Sequence, residues 1–579
     1  MSKTTKKRGQ KLSKRFARLS RKADKSSREH IRKNLIDRIS HIKNVRLLVL
    51  EWFLLVSVIV VLAIAQSFLY RGSYAADGFT SGGTYTEATI GEVKSLNPLF
   101  ANTNSERALS KLMFATLTAN DASGHSGPAL AAQLRAEGNG KVWKLKLRDH
   151  LQWSDGQPLT NADVLFTVKL IQNPAVNSVY SSNLTSVTAE ETADGWISFT
   201  LPAAYANFSS VLNIPVLPQH ILKDVQPAKL SEDNFNTNPS VASGAFTFNA
   251  SQTNKSSSAN TTYYLKSNPN YYLGQPLIDT FAVSTFSSTD DIIKGLNDDS
   301  VTASAELQPS DASKITNPDI YQKQTSLHSG VYAFINTTGE VLNNVKLRQA
   351  IRQGINMDEI RADFSNEQPL GYPLLESQLK LKYPELPAHD FEAAHQTVAA
   401  AEFNREIPLQ IATVSTGNLP AITNKLADQL RTLGFQAEVT VYEPDQDFLV
   451  NVIRPRSYDI LVYEVELGAD PDLFAYYHSS QARGSGLNLS NYRRAITDDL
   501  LLAARTTLDD NLRATKYESF LRSWVNDVPA IGIYQSNLTY YFDKATLNFS
   551  EDSHLVIPTD RFQDVRYWSA VMTLQNRTP

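Results

Sequence analysis

Residues 142–170 read VWKLKLRDHLQWSDGQPLTNADVLFTVKL and pack three aromatics, several acids, a turn dipeptide and an apolar run into one short span. Trp143, Leu145 and Leu147 alternate with Lys144, Lys146 and Arg148, the period-two pattern of a half-buried strand. Asp155-Gly156 supplies a turn, because glycine tolerates positive φ without a Cβ penalty. Thr160 stands before NADVLFTVKLIQ with Asp163 three residues on. That spacing predicts reciprocal hydrogen bonds at a helix start, a variant of the capping box. Asn173-Pro174 stops the helix. The stretch therefore reads as strand, turn and capped helix, a scaffold rather than a reaction centre.

Working outward, 579 residues exceed what one small core organises, and several domains or one large two-lobed body are expected. With no cysteine, disulfides, thiolate metal sites and cysteine nucleophiles are excluded. The net charge of -3 hides an asymmetry: the first 46 residues hold 17 of the 56 Lys+Arg and 3 of the 59 Asp+Glu. The remainder is strongly acidic. Residues 47–70, LLVLEWFLLVSVIVVLAIAQSFLY, carry one charge, Glu51. They exceed the roughly 20 residues a helix needs to cross a bilayer core, so a single transmembrane helix is expected, with a basic cytoplasmic tail at 1–46 and an extracytoplasmic acidic body. Ala63-Ile64-Ala65 also fits a signal-peptide cleavage site, but the basic segment is much longer than a usual n-region, which favours an uncleaved anchor. Residues 71–82, RGSYAADGFTSG, fit a tether.

Farther on, GTYTEATI, SGAFTFNA and TTYYLKS read as strands. From Val331 the chain alternates: strand VYAFIN, helices NVKLRQAIRQGI and HDFEAAHQTVAAAEF, strand LQIATV, helix AITNKLADQLRTLG, strand AEVTVY. That alternation predicts an α/β lobe with βαβ units. No phosphate-cradling glycine loop and no His-Glu-x-x-His occur, and the ten histidines are scattered. The nearest approach to a nucleophile elbow, Gly124-His125-Ser126-Gly127-Pro128, places proline where a second glycine must turn. No enzyme, cofactor or nucleic-acid partner is expected.

Several ordered blocks carry a family resemblance: GEVKSLNP, the opening stretch, SGAFTFN with SNPNYYLGQP, FINTTGEVLNNVKLRQAIRQGINMDEI, and YDILVYEVELGADPDLFAYYHSS. They resemble the family 5 extracytoplasmic solute-binding proteins, the oligopeptide- and dipeptide-binding subunits of ABC importers, over essentially everything from Gly83 onward. The resemblance implies a two-lobed α/β clamp that closes on a solute and hands it to a membrane permease. Its lobe 1 core would take 83–105, 242–325 and 538–579, its inserted subdomain 106–241, and lobe 2 326–537. The opening stretch would be a packing element of lobe 1, away from the ligand.

In peptide-binding members an aspartate after Gly/Cys-Ala pairs with the peptide α-ammonium. Here Leu467-Gly468-Ala469-Asp470 falls at that place, and Asn102, Asn104 and Tyr180 would join it. Strand alternation sets Glu464 and Glu466 on one face. If that face meets the cleft, a cationic ligand gains ground over a neutral peptide. Other solutes of the family, such as nickel or sugars, and a surface chaperone or sensor role are the alternatives.

Overall fold

The computed structural model describes residues 46–253, 259–362, 364, 368–550 and 552–576. Most of the expected basic tail lies outside them. By its contacts the chain divides into two units, Met1–Gly78 with Thr573–Pro579, and Phe79–Met572. The first holds a helix at Arg46–Tyr74, and its described large apolar side chains between Leu50 and Ile64 face solvent. Among the described residues no helix is long and apolar enough to cross a membrane. The transmembrane helix expected over 47–70 is thus not established by the structure. The stretch expected to be a tether takes regular structure, with the helix running to Tyr74 and a strand following at Ala75–Thr80.

In the second unit, an eleven-stranded sheet runs through two hydrophobic cores. Its order is Ala437–Tyr442, Leu409–Val414, Ile460–Glu466, Ile320–Ile335, Ala530–Asp543, Ala303–Ser304, Thr84–Ile90, Thr280–Phe286, Ala259–Ser267, Phe246–Thr253, with Gln368–Pro369 paired to Ala530–Asp543. The two long central strands belong to both halves. They pair antiparallel from Ile320↔Asp543 to Ser326↔Asn537, slip, and resume at Gly330↔Gln535. Leu327, His328 and Ser329 thus stand opposite Ser536 alone, a bulge that bends the ribbon between the two lobes.

On one side of the bend, the strands Leu409–Val414 and Ala437–Tyr442 run parallel, which requires a crossover, and helix Leu419–Leu433 provides it. Its buried Leu419, Ile422, Leu426, Leu430 and Leu433 repeat at helical spacing, forming the stripe that covers the sheet.

On the other side lies a four-stranded antiparallel sheet, ordered Ala131–Glu137, Val142–Leu147, Ile197–Thr200, Thr188–Glu191. Trp143 and Leu145 are buried there as the alternation requires. Gly156 takes φ +85° in the turn, and Trp153, fully buried, is bracketed by main-chain bonds to Gly156 and Gln157. Helix Asn161–Gln172 starts at Thr160, whose N–H donates to the Asp163 carboxylate at 2.8 Å. The return bond of a full capping box is not made. The Asp163 N–H goes instead to the Thr160 carbonyl, and the second carboxylate oxygen accepts from the Gln219 N–H at 2.9 Å. Asp163 therefore ties the helix start to the next layer, which explains an acid that is 4% exposed.

Candidate functional site between the lobes

Helix Asn104–Met113 begins with a complete capping box. Thr103 Oγ1 accepts from the Glu106 N–H at 3.2 Å, and the Glu106 carboxylate accepts from the N–H groups of Thr103, Asn102, Lys94 and Ser95. Four main-chain donors on one buried carboxylate fix the loop before the helix. The same helix presents Arg107, Ser110, Lys111 and, just past its end, Phe114 along one face. Together with Tyr180 and with Glu466 from the other lobe, that face lines a cavity of about 250 Å³.

Glu466 ends the strand Ile460–Glu466, in which Glu464 and Glu466 are exposed while Ile460, Leu461 and Val462 are buried. Glu464 is held by the Ser329 hydroxyl at 2.8 Å. Glu466 Oε1 lies 4.0 Å from Arg107 Nη1, an ion pair across the two lobes with both side chains about half exposed. Lys111 Nζ sits 3.4 Å from Asp560, whose side chain is 2% exposed and also accepts from Asn120 Nδ2 at 2.8 Å. Of the expected contributors from the first lobe, Tyr180 reaches the cavity. Asn102 turns back to the Phe100 carbonyl at 3.1 Å, and Asn104 is exposed in the first turn of the helix; neither lines the cavity.

The stretch Leu467–Asp470 follows directly. Gly468 takes φ +75°, where a side chain would be strained. Its carbonyl accepts from His328 Nδ1 at 3.0 Å and from Gln378 Nε2 at 2.9 Å. The Leu467 N–H donates to the His328 carbonyl at 2.7 Å, and its own carbonyl accepts from Gln378 at 3.1 Å. Leu467 and Ala469 are buried. The polar main chain of 467–468 is therefore largely occupied by the hinge.

Asp470 is not a free carboxylate. Its Oδ2 accepts from Arg513 Nη1 at 2.7 Å, while its Oδ1 is buried and has no hydrogen-bond partner among the described residues. Burial pushes its pKa up, and the Arg513 guanidinium works against that. Arg513 lies 43 residues away, so no local pattern reveals the pair.

Beside it the lobes touch. The Asp470 carbonyl accepts from Asn207 Nδ2 at 3.2 Å, and the Ala206 N–H donates to the Arg505 carbonyl at 2.8 Å. The Arg505 guanidinium lies 4.6 Å from the Tyr205 ring centre and 4.5 Å from that of Phe474, with Asp472 at 3.5 Å. Sequence reasoning missed Arg107, Lys111, Tyr205, Arg505 and Arg513. The first two carried a usable signal, a base pair at i and i+4 directly behind a Thr-x-x-Glu cap.

The model of the bacterial extracellular solute-binding proteins, family 5, matches residues 126–486. The chain belongs to that family. Among curated proteins, the oligopeptide-binding protein AppA of Bacillus subtilis is 23% identical over 491 residues, covering 79% of this chain and 87% of its own. A solved structure of that AppA in complex with a nonapeptide aligns at a TM-score of 0.68, with 20% identity, over 85% of this chain and 99% of its own. The ABC transporter substrate-binding protein CtaP of Listeria monocytogenes aligns at 0.74, with 22% identity, over 84% and 99%. NikZ of Campylobacter jejuni, solved with Ni(L-His), aligns at 0.69, with 21% identity, over 84% and 99%. At such identities the structural likenesses establish the two-lobed α/β fold of this solute-binding family member and leave its solute open.

Proposed function

We propose that this chain captures peptides between its two lobes, outside the cell, and passes them to an ABC permease. One observation carries the reading: a cavity lined by a helix of one lobe and by Glu466 of the other opens beside a bulged ribbon that both lobes share, and Asp470, which does not line it, follows Glu466 by four positions in the chain. Ligand contacts made only when the lobes meet would drive closure. Asp470 offers its unpaired Oδ1 to the peptide α-ammonium while Arg513 holds Oδ2. The low local dielectric strengthens that pair, and the hydrogen bonds to it offset desolvation.

Delivery to a permease is supported by several relatives that bear the name of ABC transporter peptide-binding proteins. Anchoring in the membrane rests on residues 47–70 with their single charge and on the exposed Trp52, Phe53 and Leu54. A cationic solute has less support, because Glu466 meets Arg107 across the cavity and Lys111 stands one turn on.

Calorimetric titration of the full-length chain in detergent with tri- to pentapeptides tests this. Saturable heat is expected, weakened by several kcal/mol both by Asp470→Asn and by N-acetylation of the peptide, which leaves the protein untouched. No heat with any free-amine peptide would overturn the reading.

A further inference from the structure

Charge at the inter-lobe cavity is unevenly committed. Arg107 and Lys111 sit one turn apart on the same helix face, so their side chains are neighbours. Lys111 is balanced by Asp560, which faces away from solvent and is already engaged by Asn120 Nδ2 at 2.8 Å and the Ile557 N–H at 3.3 Å. Among the described residues Arg107 is balanced only by Glu466, at 4.0 Å and in partial contact with solvent. Such a pair is easily exchanged, since a half-exposed ion pair at that separation contributes little. A carboxylate entering the cavity gains a guanidinium that binds two oxygens in parallel, with the Lys111 ammonium beside it. A cation entering the same space meets two positive groups and one accessible carboxylate.

We infer that Arg107 and Lys111, with the Tyr180 ring closing the wall beside them, form a carboxylate subsite that displaces Glu466 and selects peptides bearing an acidic group at one register. The inference rests on the peptide reading above and specifies it. A volume of about 250 Å³ is below the roughly 300 Å³ at which small-molecule pockets begin, so the subsite takes part of a ligand only. The carboxylate comes from an acidic side chain or from the peptide C-terminus.

The test uses the full-length chain and pentapeptides of alanine with glutamate or glutamine scanned through every position, each with a free and an amidated C-terminus, in competitive equilibrium dialysis. The wild-type chain is expected to prefer glutamate to glutamine at one position by about tenfold, the scale of one charge-assisted bond. If the C-terminus is the source, amidation produces that loss instead. Arg107→Gln is expected to bring the ratio near one, and Glu466→Gln to raise it. A merely structural disturbance would not move the two variants in opposite directions. Glutamate, glutamine and amidated peptides bound within twofold of one another would overturn the subsite and leave peptide binding standing, as would a preference that survives Arg107→Gln. Binding of none of these peptides would overturn the peptide reading and this inference with it.

Discussion

Two stretches of the seam between the lobes carry similar side chains and hold them in opposite ways. Around Asp470 and Arg505 the charges are buried or stacked. Arg513 holds Asp470 at 2.7 Å, Arg505 lies between Tyr205 and Phe474, and two hydrogen bonds to main-chain carbonyls cross from one lobe to the other. Around Arg107 and Glu466 the pair stands 4.0 Å apart, with both partners about half exposed and a cavity beside it. Burial makes the difference. A buried pair that loses a partner leaves an uncompensated charge and so locks its surroundings, whereas an exposed one can trade its partner at little cost. The first stretch ties the lobes together, and the second leaves a cavity between them.

The most severe way to break that contrast is Arg513→Met, which strands a partly buried Asp470 with neither oxygen paired. Urea unfolding of the variant should show a loss of about 3 kcal/mol or more. Asp470→Asn in the same chain should recover most of it, and that double-mutant coupling distinguishes the ion pair from lost packing. Tyr205→Ala should act more gently and on closure rather than folding. Removing one face of the cation–π sandwich is worth about 1 kcal/mol, or about a fivefold fall in the closed-to-open ratio. Fluorescence transfer between dyes on the two lobes would read it, and an unchanged distance distribution would deny Tyr205 its part in the seam.

The hinge is expected to respond to acid. His328 sits in the bulge with its Nδ1 on the Gly468 carbonyl and Nε2 3.4 Å from Ser377 Oγ, and His125, His554 and Asp560 lie near enough to act on its charge. Burial lowers its pKa, with the Gly468 bond pulling it partly back up. The unfolded chain therefore takes up this proton first as pH falls. The contribution of the neutral ring is fully present above the ordinary histidine value of about 6.5 and is lost as pH drops through the depressed folded value. Melting temperatures of wild type and His328→Gln measured from pH 7.5 to 5 should converge or cross in that direction. A constant difference would remove His328 from the pH response.

What the sequence disclosed and what it withheld divide along the same physical line. Local periodicity revealed the strand around Trp143, the turn at Gly156 and the helix behind Thr160, because each is decided by residues a few positions apart. The alternating elements of the second lobe were legible for the same reason, from LQIATV through AEVTVY. The pairing of Asp470 with Arg513 was not legible, since the partner is fixed by tertiary packing and not by neighbours in sequence. Alternation placed Glu464 and Glu466 on one face but could not say what that face meets, which depends on how the other lobe folds over it. Asn102 was drawn to its own loop by Glu106, whose four main-chain bonds leave that turn no freedom to reach into the cleft.

The smallest expected effect gives the sharpest test of the contrast. Glu466→Gln removes the exposed partner of Arg107, and because that pair is half solvated its loss should change unfolding free energy by less than about 0.5 kcal/mol. On the proposed subsite its effect on binding should exceed its effect on folding, since Glu466 would no longer compete with a ligand carboxylate for Arg107. If the variant is instead destabilised on the scale of Arg513→Met, the two stretches of the seam are energetically alike. Arg107–Glu466 would then be a lock of its own, and the cavity beside it an incidental gap.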